Sequence, residues 1–320
     1  MTTAIALWLL IGGGVVAYAG WAAIAIARGA EAWWYLAGAV AIYPLAVCGI
    51  TAFWFSLAWV FRAERPRRAR LGASASARLF WNEGLAIARF PRMALYRWLI
   101  REPRHAAAAA PVLLLHGVLC NAGVWYGFRK DLAARGLAPV YTLSYGPPLA
   151  SIEVFAAQVA RKIDYIRRAT GASRVAIVGH SMGGLVARAY LRRYGAESVS
   201  SLITFGAPHH GSVHAFLFPG ACLGQLRPGN EWLAELNRSE DVEPAVPTIS
   251  IWSWHDSMVA PQTSGRLRGA RNVELIGVGH NALLNDERVR MLVADELERI
   301  AREATREPAM RETATSGFPG

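Results

Sequence analysis

Two runs without a single charged side chain constrain this 320-residue chain more than anything else in it. Ala4 to Ala27 contains none, and neither does Ala32 to Phe61. Each exceeds the roughly 20 residues that a helix needs to cross a hydrocarbon core. Only Arg28-Gly29-Ala30-Glu31 separates them, which leaves room for a tight turn. Both runs are apolar all round, so a helical hairpin inside a water-soluble core accounts for them poorly. Residues 1–61 therefore read as a transmembrane helical hairpin. Trp33, Trp34 and Tyr35 begin the second run and Trp59 closes it, where interfacial aromatic side chains gather. Pro44 falls inside the second helix, and lipid-buried helices tolerate this. A signal peptide cleaved after Ala17-Tyr18-Ala19 competes with this reading, but no basic n-region precedes the apolar run.

Charge is as uneven as hydrophobicity. The chain is 53% hydrophobic and carries a net charge of +11. Eleven arginines lie between residues 62 and 104, against Glu64, Glu83 and Glu102. Arg62-Ala63-Glu64-Arg65-Pro66-Arg67-Arg68-Ala69-Arg70 follows the second apolar run at once. The positive-inside rule then puts residue 62 onward, and the N-terminus, in the cytoplasm. The implied location is a bacterial-type inner membrane, crossed twice, with a cytosolic domain beyond it. A basic block beside an apolar one suits anionic lipid headgroups. No nucleic-acid-binding motif accompanies it, so no nucleic acid partner is expected. Residues 62–105 form this basic juxtamembrane segment. Within it, Leu79, Phe80, Trp81, Leu85, Ile87, Phe90, Met93, Tyr96, Trp98 and Leu99 interleave with arginines. A helix lying in the membrane interface and a helix packed on the following domain fit this pattern equally. Cys48, Cys120 and Cys222 have neither metal-ligand spacing nor a disulfide framework.

After the alanines 106–110 the pattern changes to short apolar strands alternating with helices. Strands are expected at 111–115, 139–145, 174–178, 199–205, 246–252 and 272–276. Helices are expected at 123–135, 151–170, 184–194 and 286–303, and residues 304–320 read as a disordered tail. Ser151 is the N-cap of the long second helix and Gly171 its stop. Such alternation implies an α/β domain over residues 106–303, with about six mostly parallel strands covered by helices on both faces.

One joint in this pattern carries chemistry. Val175-Ala176-Ile177-Val178 is a β-branched strand, Leu185 to Tyr190 is helical, and Gly179-His180-Ser181-Met182-Gly183 lies between them. This is G-x-S-x-G, the nucleophile elbow, in the strand–turn–helix context it requires. Gly179 and Gly183 leave room for strand and helix to approach. Ser181 is held at the end of the sheet with the helix N-terminus beside it. A serine nucleophile needs a base, and the base needs an orienting acid. In this fold they follow in the order acid, then histidine, each after a strand. Asp256 follows the fifth strand and His280 the last. Asp131 and Asp164 fall within helices, Asp241 in a polar loop, and Asp286 and Asp295 come after His280. The oxyanion hole is expected from the backbone N–H groups of Met182, after the nucleophile, and Val118, after the first strand. His255 reads as structural, at the pocket rim, and His180 as a packing residue. His209-His210 lacks a third ligand at metal spacing, so no metal site is expected.

These residues resemble the lipase and esterase branch of the α/β-hydrolase superfamily. The resemblance spans residues 106–303 and rests on His116-Gly117 with Asn121 and Trp125, on the elbow, on Ala207-Pro208-His209-His210-Gly211-Ser212 and on Gly279-His280-Asn281. Leu226-Arg227-Pro228-Gly229-Asn230-Glu231-Trp232-Leu233 is similar to a segment of bacterial triacylglycerol lipases and lipid-anchor deacylases, which more often have serine at the Asn230 position. The resemblance implies ester hydrolysis through an acyl-enzyme, without a cofactor, on lipid or acyl esters. Acyl transfer and thioester cleavage use the same three residues, and a non-catalytic membrane scaffold of this fold would need none of them. Residues 212–238, within a cap over about 209–245, are apolar although outside the sheet. They read as a lid and acyl-binding wall, a buried cap helix being compatible with this.

Overall fold

The computed structural model describes residues 2–103, 108, 110–137, 139–238 and 244–315. Helices α1 (Thr2–Ala27) and α2 (Ala32–Val60) run antiparallel around the four-residue link. Tyr18 donates its hydroxyl to the Tyr35 carbonyl at 2.8 Å, and the Trp21 and Tyr35 rings meet edge to face. Most of their apolar side chains face outward, Val16 at 72% and Val40 at 77% exposure. Trp8–Ala27 and Ala32–Val60 are each long and apolar enough to cross a membrane. The last turns of α2 behave differently. Thr51 and Ala58 are fully buried, against α3 (Ala73–Ala88) and the domain behind it. The Phe55 and Phe80 rings lie 6.3 Å apart, and Gln262 donates to the Ala58 carbonyl. Short helix α4 (Arg92–Leu99) turns back from α3 and packs beside residues 122–125.

Six parallel strands form one sheet in the order β2-β1-β3-β4-β5-β6. They are β1 (Val112–Leu115), β2 (Val140–Leu143), β3 (Val175–His180), β4 (Val199–Phe205), β5 (Thr248–Ser253) and β6 (Arg271–Leu275). β1 to β5 are buried almost throughout, which explains why they read as continuous apolar runs rather than alternating ones. On one face Leu113 and Ile177 pack under α6 (Ile152–Thr170) and α7 (Met182–Tyr194). On the other, Leu114 and Val178 pack under α5 (Tyr126–Ala134) and α10 (Glu287–Thr315). Helix α6 illustrates how the sequence dictates this. Ile152, Phe155, Ala156, Val159, Ile163 and Ile166 recur at three- and four-residue spacing and are all buried. Ser151 accepts from the Glu153 amide at its start, and Gly171 ends it in the left-handed region at φ +75°.

The strand order reverses between β1 and β3, the place where open α/β sheets leave a crevice beyond the strand ends. Small helices α8 (Ala221–Gln225) and α9 (Glu231–Arg238) follow β4; Leu223 and Leu226, in and just after α8, border that crevice, and Leu233 and Leu236 of α9 are buried in the core beside α7. One expectation is corrected. The closing helix does not give way at Glu303 to a disordered tail over 304–320, because α10 continues to Thr315. That stretch is rich in Ala, Arg and Glu, strong helix formers even without an apolar face. Residues 316–320 and Asp241 lie outside the described residues.

Candidate active site

Ser181 stands between the last residue of β3 and the first of α7. Its backbone has φ 57° and ψ −131°, a conformation that costs a serine about 1–3 kcal/mol. Neighbouring bonds hold it there. The Ser181 amide donates to the Phe205 carbonyl at 3.0 Å, and the Gly184 amide donates to the Ser181 carbonyl at 3.0 Å. A Cβ on Gly179 would come within 2.6 Å of the Gly184 nitrogen, and one on Gly183 within 2.2 Å of the Leu115 oxygen. The turn therefore closes only with glycine at both positions.

The loops after β5 and β6 bring the other two expected residues to the serine. His280 Nε2 lies 3.0 Å from Ser181 Oγ. His280 Nδ1 lies 3.0 and 2.9 Å from the two Asp256 carboxylate oxygens. Asp256 Oδ1 also accepts from the amides of Met258 at 2.8 Å and Val259 at 2.7 Å, which fixes the carboxylate in one orientation. Asp256 and His280 are both buried. Burial alone would depress the His280 pKa, but the charge and hydrogen bond of Asp256, and the charge of Glu83 behind it, raise it above the ordinary imidazole value. The adjacent His180 is the opposite case. Its ring lies 4.9 Å from that of His280, and its Nε2 donates to the His280 carbonyl. Burial, followed by the His280 charge, holds its pKa well below the ordinary value. Of these two neighbouring imidazoles, only His280 is made a stronger base than a free one.

Ser181 and His280 open onto a cavity of about 270 Å³. Gly117 and Val118, from the turn after β1, line it beside the serine. Met182 is the first residue of α7, and the leading amides of a helix have no intrahelical acceptor. The cavity walls are predominantly apolar. Ala215, Phe218, Leu223 and Leu226 come from the segment after β4, and Ile87 and Phe90 from α3 and its end. Trp54 comes from α2, its ring 5.3 Å from His214 and 6.2 Å from Phe218. Burial pushes the Cys120 thiol up to about 12, so it lines the cavity as a neutral side chain.

His209 and His210 have structural partners. His209 is buried between Thr204 Oγ1 and Arg188, and His210 Nδ1 faces the Asn237 amide. The two rings thus serve different partners. Among the described residues, no group of three potential ligands is placed to hold a metal. His255 accepts from the Gly277 amide and does not line the cavity, so its expected position at the rim is corrected. The loop between β5 and β6 turns it toward the 65–69 segment instead, whose Arg65 charge adds to burial in lowering its pKa to about 4.

Sequence reasoning missed Glu83 and Trp54. Glu83, from α3, is fully buried. One of its oxygens accepts from the Ser257 hydroxyl at 2.6 Å, the Asn281 amide at 3.0 Å and the Asn281 side chain at 2.9 Å. The other accepts from the Ala282 amide at 2.9 Å. The available signal was periodicity. Glu83 stands four residues after Leu79 and three before Ala86, on the buried stripe of α3, while the neighbouring arginines 78, 89 and 92 lie off it.

Residues 110–245 match the family model described as alpha/beta hydrolase fold. A triacylglycerol lipase of Burkholderia plantarii is 32% identical over 164 residues, 47% of this chain and 44% of that protein. A triacylglycerol lipase of Pseudarthrobacter phenanthrenivorans is 33% identical over 124 residues, 35% of this chain and 37% of that protein. The chain thus spans less than half the length of these curated relatives. The mature form of Bacillus licheniformis lipase BlEst2 superposes with a TM-score of 0.55 at 18% identity, covering 61% of this chain and 96% of that one. Aspergillus fumigatus lipase B superposes at 0.54 with 24% identity, covering 64% and 57%. Those two structures speak for the fold.

Proposed function

We propose that this chain, an α/β-hydrolase of the lipase and esterase branch, is a membrane-anchored serine hydrolase that cleaves the carboxylic esters of lipids or other acyl compounds. The observation that carries the reading is the line Ser181–His280–Asp256, at 3.0 and 2.9 Å, ending in an apolar cavity. Ser181 Oγ attacks the ester carbonyl while His280 Nε2 takes its proton. The amides of Met182 and Val118 stabilise the oxyanion. The C–O bond to the alcohol then breaks, and His280 returns the proton to the departing oxygen. Water repeats the sequence on the acyl-enzyme and releases the acid. Asp256 keeps His280 in the tautomer that presents Nε2 to the serine and balances the imidazolium.

The apolar walls support an acyl chain as the group bound, and α8 and α9 with the segment before them serve as its cap. Helices α1 and α2 serve as the anchor. The arginines of 62–104 favour a cytosolic catalytic domain. The test is fluorophosphonate labelling of the protein in its membrane, with Ser181→Ala and His280→Ala alongside. Labelling of the wild type, lost in both variants, is the expected result. Silence of the wild type both in membranes and in detergent would overturn the reading.

A further inference from the structure

The helices that anchor the chain also reach its cavity. In α1, Trp8–Ala27 is 20 residues, about 30 Å of helix, which matches a hydrocarbon core. With the Arg28–Glu31 link at one membrane surface, the other surface falls at Trp8. Trp8 Nε1 donates to the Pro91 carbonyl at 3.2 Å, and Tyr43 of α2 donates to the Ala88 carbonyl at 2.7 Å. By the same measure Tyr43 lies about 17 Å along α2 from the link, so the turn between α3 and α4 packs on the hairpin between the level of Tyr43 and that of Trp8. Arg89 and Arg92 are exposed on it, and Trp98 of α4 is 74% exposed. Ile87 and Phe90 are on the same turn, and they line the cavity that holds Ser181. From there α2 rises past the surface, and Trp54 forms the cavity wall on the membrane side of the cap.

We propose that Trp54, Ile87 and Phe90 form the entrance and outer wall of the acyl site, through which a long-chain ester lipid passes from the bilayer to Ser181 without crossing water. The proposal rests on the hydrolase and anchor readings above. Every methylene exposed to water costs free energy, so a continuous apolar path from bilayer to nucleophile favours substrates already in the membrane. On this view α2 is a component of the binding site as well as a tether.

The test uses the full chain in phosphatidylcholine vesicles containing phosphatidylglycerol. A long-chain alkyl fluorophosphonate with a photoreactive diazirine at the chain end is attached to Ser181, irradiated, and the crosslinks mapped. Crosslinks at Trp54, Ile87 or Phe90 are expected. Crosslinks confined to residues 213–238 would overturn the proposal and leave the hydrolase reading intact. Failure of the probe to label Ser181 would overturn both. In a second arm, Trp54→Ala and Phe90→Asp should lower the ratio of long-chain to short-chain ester turnover by about tenfold or more. Wild-type turnover should follow the mole fraction of a long-chain ester in the vesicle. A rate that follows its bulk concentration would overturn entry from the bilayer.

A separate observation concerns α3. Glu83 accepts from both loops that deliver the acid and the base: from Ser257, next to Asp256, and from Asn281 and Ala282, next to His280. The geometry points to Glu83 as a positioning residue that clamps the two loops from outside the sheet domain. The charged and titratable groups facing His280 are Asp256, Glu83, His180 and His214. Glu83→Gln should lower kcat by about tenfold or more and move the acid limb of the pH profile down, because a negative charge that favours imidazolium is gone. Glu83→Asp, which keeps the charge on a shorter arm, should lower kcat and leave the limb in place. A slower Glu83→Gln enzyme with an unmoved limb would overturn the role. Should that variant not fold, full activity in Glu83→Asp would overturn it equally.

Discussion

The N-terminal helices and strand β3 are both apolar, and they meet opposite fates. Val175 to Val178 are 0% exposed, whereas Leu36, at 68%, and Val40, at 77%, face outward from α2. The difference is what each segment can pair with. A strand of six residues finds two neighbouring strands and two helical layers. A helix of 29 residues whose whole circumference is apolar has more surface than this chain can cover. Helix α2 contains both cases, exposed over most of its length and buried at Thr51 and Ala58, where α3 and the domain receive it. Apolar composition therefore does not decide burial; the partner within reach does.

The comparison can be broken most forcefully at the site, where burial serves chemistry. Ser181→Ala should abolish fluorophosphonate labelling and reduce ester turnover by about 10⁴-fold or more, measured on folded protein. Asp256→Asn should cost about 10³–10⁴-fold in kcat by freeing the wrong tautomer of His280. The wild-type profile should lose activity as pH falls, with a limb above the ordinary imidazole value of about 6.5, because the buried Asp256 holds the proton on His280. In the core, Ile177→Ala should destabilise the domain by about 2–5 kcal/mol in denaturant melts. The outward-facing counterpart, Val40→Ala, should leave that melt within about 0.5 kcal/mol. A Val40 effect as large as the Ile177 one would mean that α2 is packed rather than lipid-facing.

A further contrast lies among the buried histidines. Burial lowers His116, His214 and His255 to about 4 and also lowers His180, His209 and His210, while His280 is raised. Between about pH 6.5 and 4 the unfolded chain binds protons at the lowered sites that the folded chain refuses. Stability should therefore fall as pH drops through that window, at up to about 1.4 kcal/mol per pH unit for each such group. His280 acts in the other direction, its contribution being present below about 6.5 and lost as pH rises through its raised value. Thermal melts from pH 7 to pH 5 should show a net loss, and a gain would mean that these rings are hydrated.

The strands, the elbow and the order of serine, acid and histidine were legible because each is local. A β-branched run, a glycine pair and a polar residue after a strand leave marks within a few positions. Asp256 and His280 could be picked by where they follow strands, without knowledge of their distance from Ser181. Glu83 and Trp54 could not. Their roles depend on α2 and α3 folding back across the strand ends, a contact between segments some 200 residues apart in sequence for Glu83 and Asn281. Nothing in the neighbouring residues records that return, beyond one carboxylate placed on an apolar stripe.

The four hydrogen bonds on Glu83 bear on where this molecule can be divided. The match to the alpha/beta hydrolase fold model begins at residue 110, and a fragment cut there would contain Ser181, Asp256 and His280. It would also lose the carboxylate that ties Ser257, Asn281 and Ala282 together, and open to water the face that α3 covers. The stretch that matches the family model and the stretch that holds the site together have different edges here. Separating the α/β domain from the two N-terminal helices would mean cutting upstream of α3 and accepting an exposed seam where α2 had lain.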